Sequence, residues 1–212
     1  MSPLKTAKTQ TIRDKFSQLG FTMIELLIVI AILGILAVAV LSAINPVEQI
    51  NRGRDTGSRS DSEQLLSAID RYNAFQGYYP WQIGQADITN LGVAFSDPFF
   101  DGSLADSNDC LVHEKLSEIV DSTGVGCTGT DELKQTFFNR VFGATANPLY
   151  LYRDADPGAS TYVCFLPKSK AFNTEALARC GTAGGAGLPD DLSGAATEIC
   201  GEYPDTAMIC LP

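Results

Sequence analysis

The 212-residue chain has little of what most enzymes use. His113 is its only histidine and so its only ready general base near neutral pH; it stands beside Glu114 and reads as a surface residue. There is no GxSxG elbow, no HExxH pair and no P-loop. No two cysteines are spaced CxxC, which leaves no set of four zinc ligands at metal spacing. Positive charge is scarce as well: 15 Lys and Arg face 25 Asp and Glu, for a net charge of -10. An acidic surface repels nucleic acid unless it carries a local basic patch. Arg52, Arg54 and Arg59 alternate with Asp55, Asp61 and Glu63, a solvated helix face of both signs rather than a patch. No internal repeat is visible. These absences leave no catalytic residue, no cofactor and no direct nucleic-acid binding to expect.

What the chain has is one long apolar run. Phe21 to Leu41 reads FTMIELLIVIAILGILAVAVL, interrupted only by Thr22 and Glu25. As a helix it would be roughly 32 Å long, enough to cross a bilayer core. Twenty residues precede it, and they are basic, with Lys5, Lys8, Arg13 and Lys15 against Asp14. An ordinary secretory signal is one explanation, with Ala37-Val38-Ala39 as the cleavage site. The run is too long for that, and Glu25 lies inside it. A plain anchor with its amino terminus in the cytoplasm fits the basic leader but not the position of Glu25.

A third explanation covers both. The junction Gln18-Leu19-Gly20-Phe21-Thr22-Met23-Ile24-Glu25 resembles the processing site of type IV pilins and pseudopilins. The resemblance implies a membrane peptidase that cuts after Gly20 and methylates Phe21, a mature charge of -13, and an assembly role for Glu25. The chemistry agrees. Gly20 lets the backbone lie extended in a protease. A carboxylate at mid-bilayer costs about 2.5 to 3.5 kcal/mol and so usually has a partner, which the new amine of a neighbouring subunit would supply. The plainer reading is that Glu25 snorkels to the membrane edge.

Beyond Leu41 the helix is expected to continue with a weak or kinked middle between Gly34 and Pro46. Leu65, Ala68, Ile69, Tyr72 and Phe75 then recur on one helical face, Ser60 and Glu63 form a possible capping box, and Gly77 and Pro80 end the stretch. The segment from Ile44 to Pro80, with its Gly77-Tyr78-Tyr79-Pro80 ending, also resembles pseudopilin-like proteins. The expected organisation is a leader over 1–20, a membrane or filament-core helix over 21–44, its amphipathic continuation over 45–77 and a head over 78–212.

In the head, Leu111 to Val120 and Asp131 to Phe142 read as short amphipathic helices, the second with Asp131 as a first-turn acid. A β-hairpin is expected over about 149–166, turning at Asp154 to Gly158. Trp81, Tyr78, Tyr79, Phe99 and Phe100 read as head core in preference to contacts between neighbouring subunits. The tail from Cys180 has no clear periodicity. Cys110, Cys127, Cys164, Cys180, Cys200 and Cys210 all follow the apolar run, so disulfides are expected, with fifteen pairings open. Asp190, Asp191 and Asp205, with Glu198 and Glu202, are weak calcium candidates, since the ion takes oxygen ligands.

The fold class expected is thus α+β: a long amino-terminal helix and a small antiparallel, disulfide-stapled head. The resemblance implies a filament subunit, inserted as a single-pass precursor with its head outside the cytoplasm. Its partners would be the prepilin peptidase, other pilins, an assembly platform and its ATPase. The alternatives are a membrane-anchored or secreted binding domain that never polymerises, and an anchored enzyme.

Overall fold

The computed structural model describes residues 20–96, 104–106, 108–117, 127, 129–141, 147–181, 187–201 and 207–212. The chain divides between Asn45 and Pro46 into two units.

The first unit holds α1, Met23–Ala43, a helix of 21 residues. Its side chains are apolar on every side, and none of its apolar stretch is buried. Such a helix needs apolar surroundings on all faces, as a membrane or a bundle of like helices provides. Gly34 lies inside α1 without interrupting it. The expected weak middle therefore narrows to one point: α1 stops at Ile44, whose φ of -100° and ψ of 127° are extended. The cause is Pro46. Its ring forbids a helical carbonyl four residues back and pushes Asn45 out of the helical region.

The second unit begins with Pro46 as the first residue of α2, Pro46–Gln76. Proline suits that position, where its missing N–H costs nothing. Ser60 is thus mid-helix, and the capping box expected there with Glu63 does not exist. Leu65, Ala68, Ile69 and Tyr72 are buried as the periodicity predicts. Phe75 is not: it is 81% exposed. Gly77 closes the helix with a φ of +77°, and its N–H donates to the Asn73 carbonyl at 2.8 Å.

The buried stripe of α2 packs on a four-stranded antiparallel sheet, ordered β1 (Val93–Ser96), β2 (Leu149–Arg153), β3 (Thr161–Phe165), β4 (Ile209–Leu211). The expected hairpin is β2–β3, in register from Leu149↔Phe165 to Arg153↔Thr161. Gly158 takes the positive φ in its turn, +96°. Every residue of β3 is buried, because α2 covers the sheet and further helices flank it.

Those helices are short. The two read from sequence are trimmed to α3, Val112–Leu116, and α4, Gln135–Val141; residues 118–120 and 142 lie outside the described residues. Asp131 is no first-turn acid. It precedes α4 with a φ of 54°, and its carboxylate meets Lys134 at 2.9 Å. Three further elements follow the hairpin: α5 (Lys170–Cys180), which leads into the tail, and within the tail, where the sequence shows no period, a 3-10 turn (Asp190–Ala195) and α6 (Ala196–Cys200). Trp81 is buried and Tyr78 and Tyr79 pack on the core, as expected; Phe99 and Phe100 lie outside the described residues.

The six cysteines pair as Cys110–Cys127, Cys164–Cys210 and Cys180–Cys200. The second joins opposed residues of β3 and β4; the third ties the end of α5 to α6. A buried arginine locks the other side of the sheet. Arg153 donates to the carbonyls of Leu91 (3.2 Å) and Ala159 and lies 4.4 Å from the Tyr79 ring. Tyr79 in turn stacks on Trp81 at 4.7 Å.

Candidate functional site

The residues singled out at the amino terminus sit at the mouth of α1. Gly20 and Phe21 precede the helix, and Phe21 is 87% exposed. Thr22 is the N-cap, with extended φ and ψ of -76° and 149°. Its hydroxyl accepts the N–H of Glu25 at 3.3 Å, while Oε2 of Glu25 accepts both the Thr22 N–H and the Thr22 hydroxyl, each at 2.8 Å. This reciprocal pair is a capping box. It answers two of the helix's orphan N–H groups and puts negative charge at the positive end of the helix dipole.

Sequence reasoning overlooks Thr22. The signal is present, because Thr22-Met23-Ile24-Glu25 is the T-x-x-E pattern that opens capped helices. From sequence, Glu25 is a membrane-edge charge or a partner for a neighbour's amine. The structure adds a local partner. The box also fixes where helix begins, so the Gly20–Phe21 peptide lies outside the helical hydrogen bonds. An unwound, uncovered peptide beside a residue with no side chain is what a peptidase requires.

The other named positions do not gather with these. Gly34 lies in mid-helix with open space where a Cβ would stand, and Pro46 opens the second unit. His113 is half-buried on α3. Asp190 is exposed, and Asp205 and Glu202 lie outside the described residues. Asp191 serves the fold. Its two oxygens accept the Ser160 N–H at 2.9 Å and the Tyr162 hydroxyl at 2.7 Å, tying the 3-10 turn to the hairpin. The Ser160 N–H, then the Tyr162 hydroxyl, hold its carboxyl below the usual range. Burial and that same bond push the Tyr162 hydroxyl up to about 12. Among the described residues, no three His, Cys, Asp or Glu side chains come together as a metal site.

Two further acids, both on α2, organise the start of α5. Asp55, fully buried, accepts the N–H groups of Lys168 (2.8 Å) and Ser169 (2.7 Å). Glu48 accepts those of Lys170 (3.1 Å) and Ala171 (3.3 Å). With Ser169 capping Phe172, the first turn of α5 is held by side chains of α2 and its own N-cap. A carboxylate pointed at a helix start is favoured by both hydrogen bonds and dipole.

α1 is a helix long and apolar enough to cross a membrane, which fits a membrane-anchored precursor. No curated protein and no solved structure matches the chain. Residues 15–41 match the family model described as the prokaryotic N-terminal methylation motif, the prepilin signature of type IV pilins and pseudopilins, and the match takes in Gly20, Phe21, Glu25 and nearly all of α1.

Proposed function

We propose that this protein is the structural subunit of a type IV pilus or pseudopilus. The prepilin peptidase cuts between Gly20 and Phe21 and methylates the new amine. The subunit waits in the membrane with its head outside the cytoplasm. An assembly platform and its ATPase then lift it into a helical fibre, and Glu25 sets the register against the amine of a neighbour. The chain itself performs no chemistry.

The observation that carries this reading is the coincidence at residues 20–25. An uncovered Gly20–Phe21 peptide leads directly into a capped, almost wholly apolar helix whose one carboxylate, on Glu25, stands in its first turn. The capping box would serve any helix; the Gly20–Phe21 junction directly ahead of it is what an anchor alone does not need. The second unit supports the same reading. A stable, disulfide-tied α+β head on a bare apolar helix is the form of a subunit that buries the helix among copies of itself.

The test is the amino-terminal peptide of the mature protein, read by mass spectrometry. The expected peptide begins at Phe21 and carries one added methyl group. A start at Val40 or Ile44 would mean ordinary secretion, and a start at Met1 a plain anchor; either overturns the proposal. Fibres sheared from cells are the second readout. Glu25→Ala is expected to leave cutting intact and to remove the subunit from fibres.

A further inference from the structure

In the sequence, Arg52, Arg54 and Arg59 alternate with acids, but the fold separates the signs. Asp55 is buried and accepts the N–H groups of Lys168 and Ser169. Asp61 pairs with Arg140, Glu48 with Arg52 and Glu175 with Arg59. Arg54 is left exposed without an acid. The bonds from Glu48 to Lys170 and Ala171, and from the Asn51 amide to the Lys168 carbonyl at 3.2 Å, bring two lysines beside the first turns of α2. Both are exposed, and among the described residues Arg54, Lys168 and Lys170 make no ion pair.

The same turns of α2 are apolar on their open side. Val47 and Ile50 are 62% and 57% exposed. They stand at i and i+3, and Arg54 follows at i+7, so the three share one face. The second unit thus opens with two bare apolar side chains among unpaired cations, on a mature chain whose net charge is -13.

What this patch can meet is limited by covalent bonds. The apolar span Met23–Ser42 has 20 residues, about 30 Å of helix, which is the thickness of a bilayer core. Only Ile44 and Asn45 separate α1 from Pro46. Four steps of about 3.8 Å keep Val47 within about 15 Å of Ala43 at any angle between the units, and so within reach of the headgroups.

We propose that the start of α2 docks on the anionic headgroups of the membrane that α1 crosses. Val47 and Ile50 enter the interface, and Arg54, Lys168 and Lys170 meet the lipid phosphates. The proposal rests on one part of the reading above, that α1 spans the membrane with the head outside the cytoplasm. The tether selects lipid as the occupant, since it holds the patch where lipid is always present. The charges agree: an acidic chain is repelled by anionic lipid except where its acids are taken up, and here they are. Apolar side chains flanked by Lys and Arg are the composition of interfacial helices. Each cation near an anionic surface is worth roughly a fivefold factor in the docked fraction, and three together on the order of a hundredfold.

The test places the full chain, one copy per disc, in nanodiscs of phosphatidylcholine alone or with about a quarter phosphatidylglycerol. NMR then reads magnetisation transfer from lipid protons to the methyl groups of Val47 and Ile50. The expected transfer is at least about fivefold stronger with phosphatidylglycerol. Arg54→Gln, Lys168→Gln and Lys170→Gln, combined, should bring it down to the phosphatidylcholine level. Unchanged amide shifts in β2 and β3 and intact disulfide-linked peptides report that the head of this variant is folded. Equal transfer in the two lipids, or no loss in the triple variant, overturns the docking. So does contact of Val47 and Ile50 with a second copy in place of lipid when two copies share a disc. A chain that alkaline carbonate washes from membranes has no span, and both this proposal and the membrane part of the reading then fall. A chain that stays in the membrane but shows no lipid transfer overturns the docking alone.

Discussion

A few side chains are placed so that one atom decides the outcome. Thr22 is one. Thr22→Val keeps the shape of the side chain but removes the oxygen that accepts the Glu25 N–H and the hydroxyl that donates to Glu25. Loss of an N-cap of this kind costs about 1 kcal/mol. The expected result is faster hydrogen exchange at residues 23–25, measured by NMR in micelles, with the middle of α1 unchanged. Arg153 is another. It is buried, and its guanidinium answers two backbone carbonyls and lies against Tyr79. Arg153→Met leaves those carbonyls without a donor, at a cost of about 2 to 4 kcal/mol. Trp81 is the only tryptophan and stacks on Tyr79, so its emission should shift as well as the thermal midpoint. An unchanged midpoint would mean the arginine is not structural. Thr22 is legible through its T-x-x-E spacing to Glu25. Arg153 is not, because an arginine at the end of a strand is common and its partners are fixed only by the fold. The pattern of Gly20, Phe21 and Glu25 is legible because it is a spacing along the chain, and it lies within the matched residues 15–41.

The elements differ in how far local sequence specifies them. α1, the buried face of α2 and the β2–β3 hairpin are readable, because each carries its own period or turn chemistry. α5 is not. Its sequence, Lys170–Cys180, has no strong apolar face, and the groups that start it come from α2. Its N-cap, Ser169, is local, but the carboxylates that hold the N–H groups of residues 168–171 lie more than 100 residues away. Asp55→Ala should therefore undo α5 rather than α2. It strands the N–H groups of Lys168 and Ser169 in a buried place, for a loss of about 3 kcal/mol. Exchange protection should fall first over residues 168–180. Acid acts at this joint and where the 3-10 turn meets the hairpin. The Lys170 N–H, the largest cause, holds the Glu48 carboxyl below its ordinary 4.5, and the bonds to Ser160 and Tyr162 hold Asp191 below its ordinary 3.8. A depressed folded value means stability that is present above the ordinary value and is lost as the pH falls through the folded one. The thermal midpoint is thus expected to be flat near neutrality and to drop below about pH 4.5. Glu48→Gln combined with Asp191→Asn should flatten that drop.

At the scale of the whole molecule, the division between Asn45 and Pro46 sorts the forces. All three disulfides, the sheet and the buried core belong to the second unit, while among the described residues of the first, α1 buries none of its apolar stretch. The three bridges close loops with separations of 17, 46 and 20 residues, which in a chain-entropy account is worth about 3 to 4 kcal/mol each. Replacing Cys164 and Cys210 together by alanine should lower the stability of the head by about that amount while leaving amino-terminal processing untouched. Loss of processing in that variant would show that the two units depend on each other. The pairing itself lies beyond the sequence, since spacing does not choose among six cysteines, whereas the register of β3 against β4 does choose for two of them. The capping box at the head of α1 has one last consequence. Every bond in it is made by Thr22 or by a residue after it, and none by Gly20 or Phe21. A blade falling just ahead of Phe21 cuts no thread of that knot: the product keeps the precursor's first turn, and what the severed chain acquires is a charge, not a new shape.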